Sequence, residues 1–211
     1  MSASASAAPD PGASVTEGKA TIYFPSSKGV FYNPPQIPNR DLSVLALRQF
    51  SQIWAKEVED KAAKKAARVA AAIARDAASG AAAASPKAAP DAAAPAPPDT
   101  GVRVLDAMTA SGLRALRYTL EVDEVSQVVA NDLDPTAVST LLENVRRNGL
   151  TEEQVVPSTG DAVAVMHASK PPTARRFEAV ELDPYGSAAP FLDSAMQVRD
   201  RGSHSISARF T

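Results

Sequence analysis

Residues 102–134 read VRVLDAMTASGLRALRYTLEVDEVSQVVANDLD, and this stretch decides the fold. Val102 to Met108 is an apolar run of strand length. It ends in a turn that opens a helix predicted from Ser111 to Val122. Gln127 to Asp132 (QVVAND) is a second apolar strand. The next helix is predicted from Pro135, which suits a first helical turn, to about Asn148, with Gly149 as its stop. Toward the C-terminus the alternation repeats. A third strand is expected around Gln154 to Thr159, a short helix from Ala162, a fourth strand in FEAVELDP (177–184), and a helix after Tyr185. Strands this apolar, alternating with helices, predict an α/β architecture with a parallel sheet covered on both faces.

In doubly wound sheets ligands bind at the carboxyl ends of the strands. After the first strand, DAMTASGLR (106–114) is a strand–turn–helix junction whose backbone N–H groups can face a carboxylate-bearing ligand. Gly112 allows close approach, and Arg114 can pair with a carboxylate. An ordinary turn with a surface arginine is the alternative. The turn is not GxGxxG, which weakens a nicotinamide reading. After the second strand, Asp132 can accept hydrogen bonds from both ribose hydroxyls of a nucleoside cofactor, while Asp134 is better placed to cap the next helix. After the third, Asp161 suits an acceptor for an adenine amino group, with the Ala162 N–H beside it. It suits a helix N-cap equally.

The sharpest signal follows the fourth strand: Asp183-Pro184-Tyr185-Gly186. An exocyclic amine conjugated to a ring is a poor nucleophile. A fixed carboxylate that accepts its hydrogens orients the lone pair and takes up the released proton. Pro184 stiffens the loop and Tyr185 can stack on a base. A plain Pro-Gly turn is the alternative.

Toward the N-terminus, Glu17 to Phe24 (EGKATIYF) reads as a short strand with Ile22 and Phe24 on one face. Lys28 to Arg40 carries three prolines and reads as a loop in which Phe31, Tyr32 and Arg40 can close over a substrate. A long helix is predicted from Asp41, capped by Asn39 or Asp41, with an apolar face of Leu42, Leu45, Phe50, Ile53 and Trp54. Past Trp54 it turns Ala/Lys/Glu-rich, and Gly80 to Thr100 has the composition of a flexible insertion. The expected organisation is a disordered 1–16, an N-terminal segment 17–54, an Ala-rich helix and insertion 55–100, a Rossmann-like core 101–197 and an atypical tail 198–211.

With 211 residues the chain can bury one real core. A net charge of −2 gives no bulk sign of a nucleic-acid binder, so any RNA surface is local. Arg146, Arg147, Arg175 and Arg176 are the local bases expected to neutralise a few phosphates. The absence of cysteine excludes disulfides, thiolate zinc and cysteine catalysis, and with 2 histidines no metal site is expected. No apolar run reaches the ~20 residues a bilayer span needs. Residues 1–12 lack the basic start and apolar centre of a signal peptide, and lack the arginine of a presequence. An intracellular location is expected: nucleus or cytoplasm, with the mitochondrion as the alternative.

Five stretches taken together, EGKATIYF, VFYNPPQIPNRDLSVLALR, VLDAMTASGLRALRYTLEV, VVANDLDPTAVSTLLENVRRNGL and ELDPYGSAAPFLDSA, resemble the tRNA (guanine, N2)-dimethyltransferase family, in family order. The resemblance implies a Rossmann-like methyltransferase fold, S-adenosyl-L-methionine as donor, and tRNA as partner, methylated at guanine N2 between the D and anticodon stems. Carried over position by position, the donor site resembles Arg40, Arg114, Asp132, Asp161 and Ala162. Asp183 resembles the catalytic acceptor within the Asp-Pro-aromatic-Gly motif, and Phe31 and Tyr185 match the positions that hold the flipped base. Two departures stand out: the Ala-rich insertion, and an end at Thr211 where the family continues. A truncated or variant chain with an incomplete sheet, and doubtful activity of its own, is therefore expected. Rival readings are another amino-methyltransferase, acting on DNA, protein or a small molecule, and a non-catalytic fragment that keeps part of the cofactor cleft.

Overall fold

The computed structural model describes residues 13–24, 32–78, 98–169, 177–198 and 207–208. An antiparallel hairpin, β1 (Ser14–Glu17) and β2 (Ala20–Tyr23), precedes the long helix α1 (Ile37–Ala78). Then come β3 (Val102–Asp106), α2 (Leu113–Glu121), β4 (Val125–Asp132), α3 (Pro135–Arg147), β5 (Val155–Thr159), α4 (Ala162–Ala168), β6 (Ala179–Glu181), α5 (Ala189–Gln197) and β7 (Ser207–Ala208). The sheet order is β5-β4-β3-β6-β7, and every neighbouring pair is parallel. The alternation read from residues 102–183 is therefore a Rossmann-like parallel sheet. Its order reverses at β3, so the crevice expected of such sheets opens between β3 and β6. In the tail, Ser207–Ala208 adds a short strand beside β6, where no pattern had been expected.

Side chains leave a strand alternately to its two sides. Val102 and Val104 of β3, Val128 and Ala130 of β4 and Ala179 of β6 enter one core with α1, α2, α3 and the hairpin. Leu105, Val129 and Val180 enter the other, with Met166, Phe177, Leu182, Ala195 and Val198. Local signals set the helix ends. The Asp134 carboxylate accepts from the Thr136 N–H, Pro135 opens α3, and Gly149 stops it at φ 70°. At Gly112, φ is 85°, and a Cβ there would stand 2.3 Å from Leu141 Cδ1. Only glycine fits both the left-handed turn and the contact with α3.

Three expectations change. Residues 17–24 are not one strand. Gly18, at φ 54°, turns the chain, and β1 begins at Ser14, inside the stretch read as disordered. Ala20, Ile22 and Phe24 share the buried face, as the alternation requires. The helix begins at Ile37, not Asp41, running on from a 3-10 turn at Pro34–Gln36. Neither suggested cap acts: Asn39 donates to Gln36 Oε1, and Asp41 pairs with Arg117 at 2.7 Å. The helix also buries the other stripe. Arg40, Ser43, Val44, Leu47, Phe50 and Ser51 face inward, whereas Leu42, Leu45 and Ile53 are exposed. Of the expected face only Phe50 is buried, with Trp54 packed at the margin. Phe31 and residues 79–97 of the expected insertion lie outside the described residues.

The hairpin is held by two asparagines of α3. The Tyr23 N–H donates to Asn144 Oδ1 at 2.8 Å, the Thr21 N–H to Asn148 Oδ1 at 2.9 Å, and Asn148 Nδ2 donates back to the Thr21 carbonyl at 2.7 Å. One helical turn thus supplies the partners an edge strand otherwise leaves open. Asn144, fully buried, also donates to the Ser111 carbonyl at 3.0 Å and so joins the hairpin to the β3–α2 turn. Asn144→Ala strands a part-buried N–H and a buried carbonyl. We expect it to cost about 2 kcal/mol in urea denaturation, within the usual range for unsatisfied groups. An unchanged midpoint would show that the hairpin rests on its apolar face alone.

Candidate active site

Parallel strands bring their last residues to one rim, and four acids collect there: Asp106 after β3, Asp132 after β4, Asp161 before α4, and Asp183 just past β6. At the centre lies Arg114, on the first turn of α2 and buried. Its Nε and Nη2 donate to Asp183 Oδ2 at 3.2 and 3.1 Å. Its Nη1 lies 3.3 Å from Glu181 Oε1 and donates to Ser43 Oγ, on α1, at 3.0 Å. Thus the carboxylate partner expected for Arg114 is met, in this structure, by Asp183 and Glu181. Asp183 Oδ1 has no partner among the described residues, and the Asp183 side chain is 37% exposed against 8% for Arg114. One oxygen is clamped; the other has no partner among the described residues.

Three carboxylates surround this one cation, and burial dominates the protonation of the two enclosed ones, Glu181 and Asp106. Burial pushes Glu181 up to about 8; Arg114 opposes this, while Asp106 and Asp183 add to it. Burial likewise pushes Asp106 up to about 6, against the Thr109 hydroxyl and Arg114. Burial works against the charge of Arg114, but Glu181, Tyr118, Asp183 and Asp106 together hold its pKa above the usual value. A carboxyl group with a raised folded pKa binds protons more tightly folded than unfolded. Its contribution is fully present below the ordinary value of 4.5 and is lost as pH rises through about 8. Glu181→Gln is therefore expected to flatten the fall in stability between pH 5 and 8. Denaturant midpoints at pH 5, 6.5 and 8 test this, and parallel curves for the variant and the parent would refute it.

The β3–α2 turn is more self-satisfied than its sequence suggests. Thr109 N–H donates to the Asn131 carbonyl, Gly112 N–H to the Thr109 carbonyl, and Ala110 N–H to Asp132 Oδ2 at 2.8 Å. Three of the N–H groups expected to face a ligand are thus already engaged. Ala110 itself sits at φ 47°, a left-handed conformation that side chains resist. Asp132 also accepts from the Asp134 N–H at 3.0 Å. A carboxylate has about four acceptor positions, so about two remain. Asp161 caps α4 by accepting from the Ala164 N–H at 2.9 Å, the second of its two sequence readings, and Ala162 is the buried first residue of that helix. Arg40 lies apart from the Arg114 cluster. It donates to Glu17 Oε2 at 2.8 Å and to the Asn33 carbonyl, and lies over the Tyr32 ring. Tyr185 is 85% exposed, and the charges of Asp132 and Asp183 reach its hydroxyl.

Sequence reasoning passed over Ser43, gave Asn131 no role beyond its place in the Asn131-Asp132 pair, and named Glu181 only as an alternative to Asp183. Asn131 Nδ2 ties the Ala107 carbonyl at 3.1 Å to the Gly160 carbonyl at 2.9 Å, bracing two rim loops. Its place beside Asp132 at a strand end was the available signal. Glu181 ends β6, two residues before Asp183; Ser43 carried no signal at all.

A protein-family model described as N2,N2-dimethylguanosine tRNA methyltransferase matches residues 12–208. The chain is 37% identical over 191 residues to the tRNA (guanine(26)-N(2))-dimethyltransferase of Schizosaccharomyces pombe, covering 88% of this chain and 34% of that protein. It is 41% identical over 202 residues to the Mus musculus protein of the same name, covering 92% of this chain and 30% of that one. The chain thus spans about a third of the length of the curated relatives it matches. Among solved structures it is similar to Trm1 from Pyrococcus horikoshii in complex with S-adenosyl-L-methionine, with a TM-score of 0.60 and 25% identity, over 90% of this chain and 41% of that one. Trm5b from Pyrococcus abyssi, at a TM-score of 0.52, 15% identity, and coverage of 89% of this chain and 37% of that one, shares the fold.

Proposed function

The chain belongs to the N2,N2-dimethylguanosine tRNA methyltransferase family, and from that membership we propose that its strand-end cleft takes S-adenosyl-L-methionine and methylates guanine N2 in tRNA. The observation that carries this reading is Asp183: one oxygen gripped by Arg114, the other unpartnered, and the exposed Tyr185 two residues on. The rim fits the donor. Asp106 Oδ1, fully enclosed and without a partner among the described residues, is an acceptor suited to an ammonium group. Asp132 keeps acceptor positions for a ribose diol. Arg40, Asp161 and Ala162 are proposed to complete the donor site.

S-adenosyl-L-methionine, when bound, supplies an electrophilic sulfonium methyl group. Asp183 would accept a hydrogen bond from the guanine amine, orient its lone pair, and take up the proton released when the N–C bond forms and the donor's S–CH3 bond breaks, the neutral thioether leaving. Pro184 holds Asp183 in extended geometry. Tyr185 offers its face to the base, and Phe31 is proposed as the second stacking partner. The rim residues 101–197 are proposed to act as the donor-binding core, with residues 17–54 completing it. Among the described residues, no helix is long and apolar enough to cross a membrane. A tRNA substrate places the enzyme in the nucleus, cytoplasm or mitochondrion.

Calorimetry with S-adenosyl-L-methionine and transfer of labelled methyl to unmodified tRNA test the reading. Label is expected in N2-methylated guanosine and is expected to vanish when the target guanosine is replaced by adenosine. Donor binding with label on another substrate, or on none, would overturn the guanine assignment. Asp132→Ala is expected to weaken donor binding about 10- to 100-fold, since a charge-assisted hydrogen bond contributes about 1.5–3 kcal/mol. Unchanged affinity in that variant would remove Asp132 from the donor site.

A further inference from the structure

We propose that the second half of α1 is an arm that binds the phosphate backbone of the RNA substrate. This rests on the reading of tRNA as that substrate. Between Lys61 and Arg75 the helix holds five bases, Lys61, Lys64, Lys65, Arg68 and Arg75, and no acid. Every residue from Ala63 to Arg75 is exposed. At about 100° per residue the five bases fall within an arc of roughly 100°, a single stripe on one side of the helix.

A helix that is merely solvated stabilises itself by interleaving opposite charges at i,i+4, and like charges at that spacing cost similar amounts. α1 makes one such contact, Glu57–Lys61 at 3.4 Å; Asp60 precedes Lys64 at the same spacing, and no further acid follows before Asp76. Lys64, Lys65, Arg68 and Arg75 make no ion pair among the described residues. Lys61, Lys64, Lys65 and Arg68 instead repel along one face, an arrangement relieved by a polyanion. The bases of α3 contrast with them: Arg146 pairs with Glu152 at 3.2 Å, and Arg147 with Glu143 at 2.6 Å. Arg175 and Arg176 lie outside the described residues. The local RNA surface that a net charge of −2 demands is therefore better supplied by α1.

Position supports a long ligand. Ser43, near the start of α1, touches Arg114 in the cleft, while Ser51 bonds Glu124 just before β4, at the opposite end of the sheet. The arm continues beyond that end. At 1.5 Å per residue, Lys61 lies ~27 Å and Arg75 ~48 Å along the axis from Ser43. A nucleoside cannot occupy the cleft and the arm together; a folded tRNA, tens of ångströms along each limb, can.

The test compares the chain with a variant carrying Lys61→Ala, Lys64→Ala, Lys65→Ala, Arg68→Ala and Arg75→Ala. Alanine preserves helicity, which circular dichroism verifies. Anisotropy of labelled, unmodified tRNA is followed from ~50 to ~200 mM salt, a range over which phosphate contacts weaken strongly. The variant is expected to bind at least ~10-fold more weakly at low salt. Its log–log salt slope should be shallower by ~3–4, at somewhat under one per phosphate lost. Arg146→Ala with Arg147→Ala should change affinity less than about twofold. The arm is refuted if the five-fold variant keeps the affinity and slope of the parent, or if the parent does not bind tRNA at all. Calorimetry with S-adenosyl-L-methionine on both proteins separates this from failure of the donor reading, because the arm is remote from the cleft.

Discussion

Asp183→Ala should lower single-turnover methyl transfer by more than the ~10²-fold typical of a lost acid–base group. Asp183→Asn should reach about that value, because it keeps the shape and one acceptor oxygen but loses the charge. Both effects follow from the clamp. Arg114 holds Oδ2 through two donors and leaves Oδ1 without a partner among the described residues, so the carboxylate is held in place before any base arrives. Donor affinity should change little, since the proposed ribose and adenine contacts lie on β4 and β5. The measurement uses saturating donor and tRNA, so that binding losses do not enter. A near-parental rate in a folded Asp183→Ala protein would reduce Asp183 to a turn residue. The sequence leaves Asp41 or Glu181 to take the role in that case, but Asp41 is paired with Arg117, and Glu181 is buried against Arg114.

Arg114→Met should destabilise the fold by about 3–5 kcal/mol, the cost of breaking a buried ion pair by removing one partner. Glu181 and Asp106 would remain enclosed with no cation, and Ser43 would lose its partner from α2. Protonation relieves buried carboxylates, so the loss should be smaller at pH 5 than at pH 8. The direction agrees with the raised values of Glu181 and Asp106. Adding Glu181→Gln to Arg114→Met should recover part of the loss at pH 8, because it removes a charge rather than a contact. Equal destabilisation at both pH values, with no recovery in the double variant, would mean that packing of the guanidinium stem dominates.

Much of the core was legible because its signals are local. The near-continuous apolar runs of Val102 to Leu105 and Val128 to Ala130, buried on both faces, the Asp134–Pro135 start of α3, and the left-handed positions of Gly112 and Gly149 each depend on a few neighbouring residues. Parallel pairing then carries Asp106, Asp132 and Asp183 to one rim without further information. The stripe on α1 was not legible. Leu42, Leu45 and Ile53 form one apolar side, and Val44, Leu47 and Phe50 form another. Hydropathy favours neither. The choice goes to the side where Arg40, Ser43 and Ser51 meet Glu17, Arg114 and Glu124.

The chain by itself determined the strands β3 to β6, the turns between them and the acids at their ends, since backbone sterics, capping and runs of apolar side chains act within a few residues. Tertiary structure alone decided that the hairpin docks on Asn144 and Asn148, more than a hundred residues away, and that Arg114 turns toward Glu181 and Asp183 instead of solvent. A buried hydrogen bond or ion pair is set by which groups lose water together, and that depends on the packed sheet.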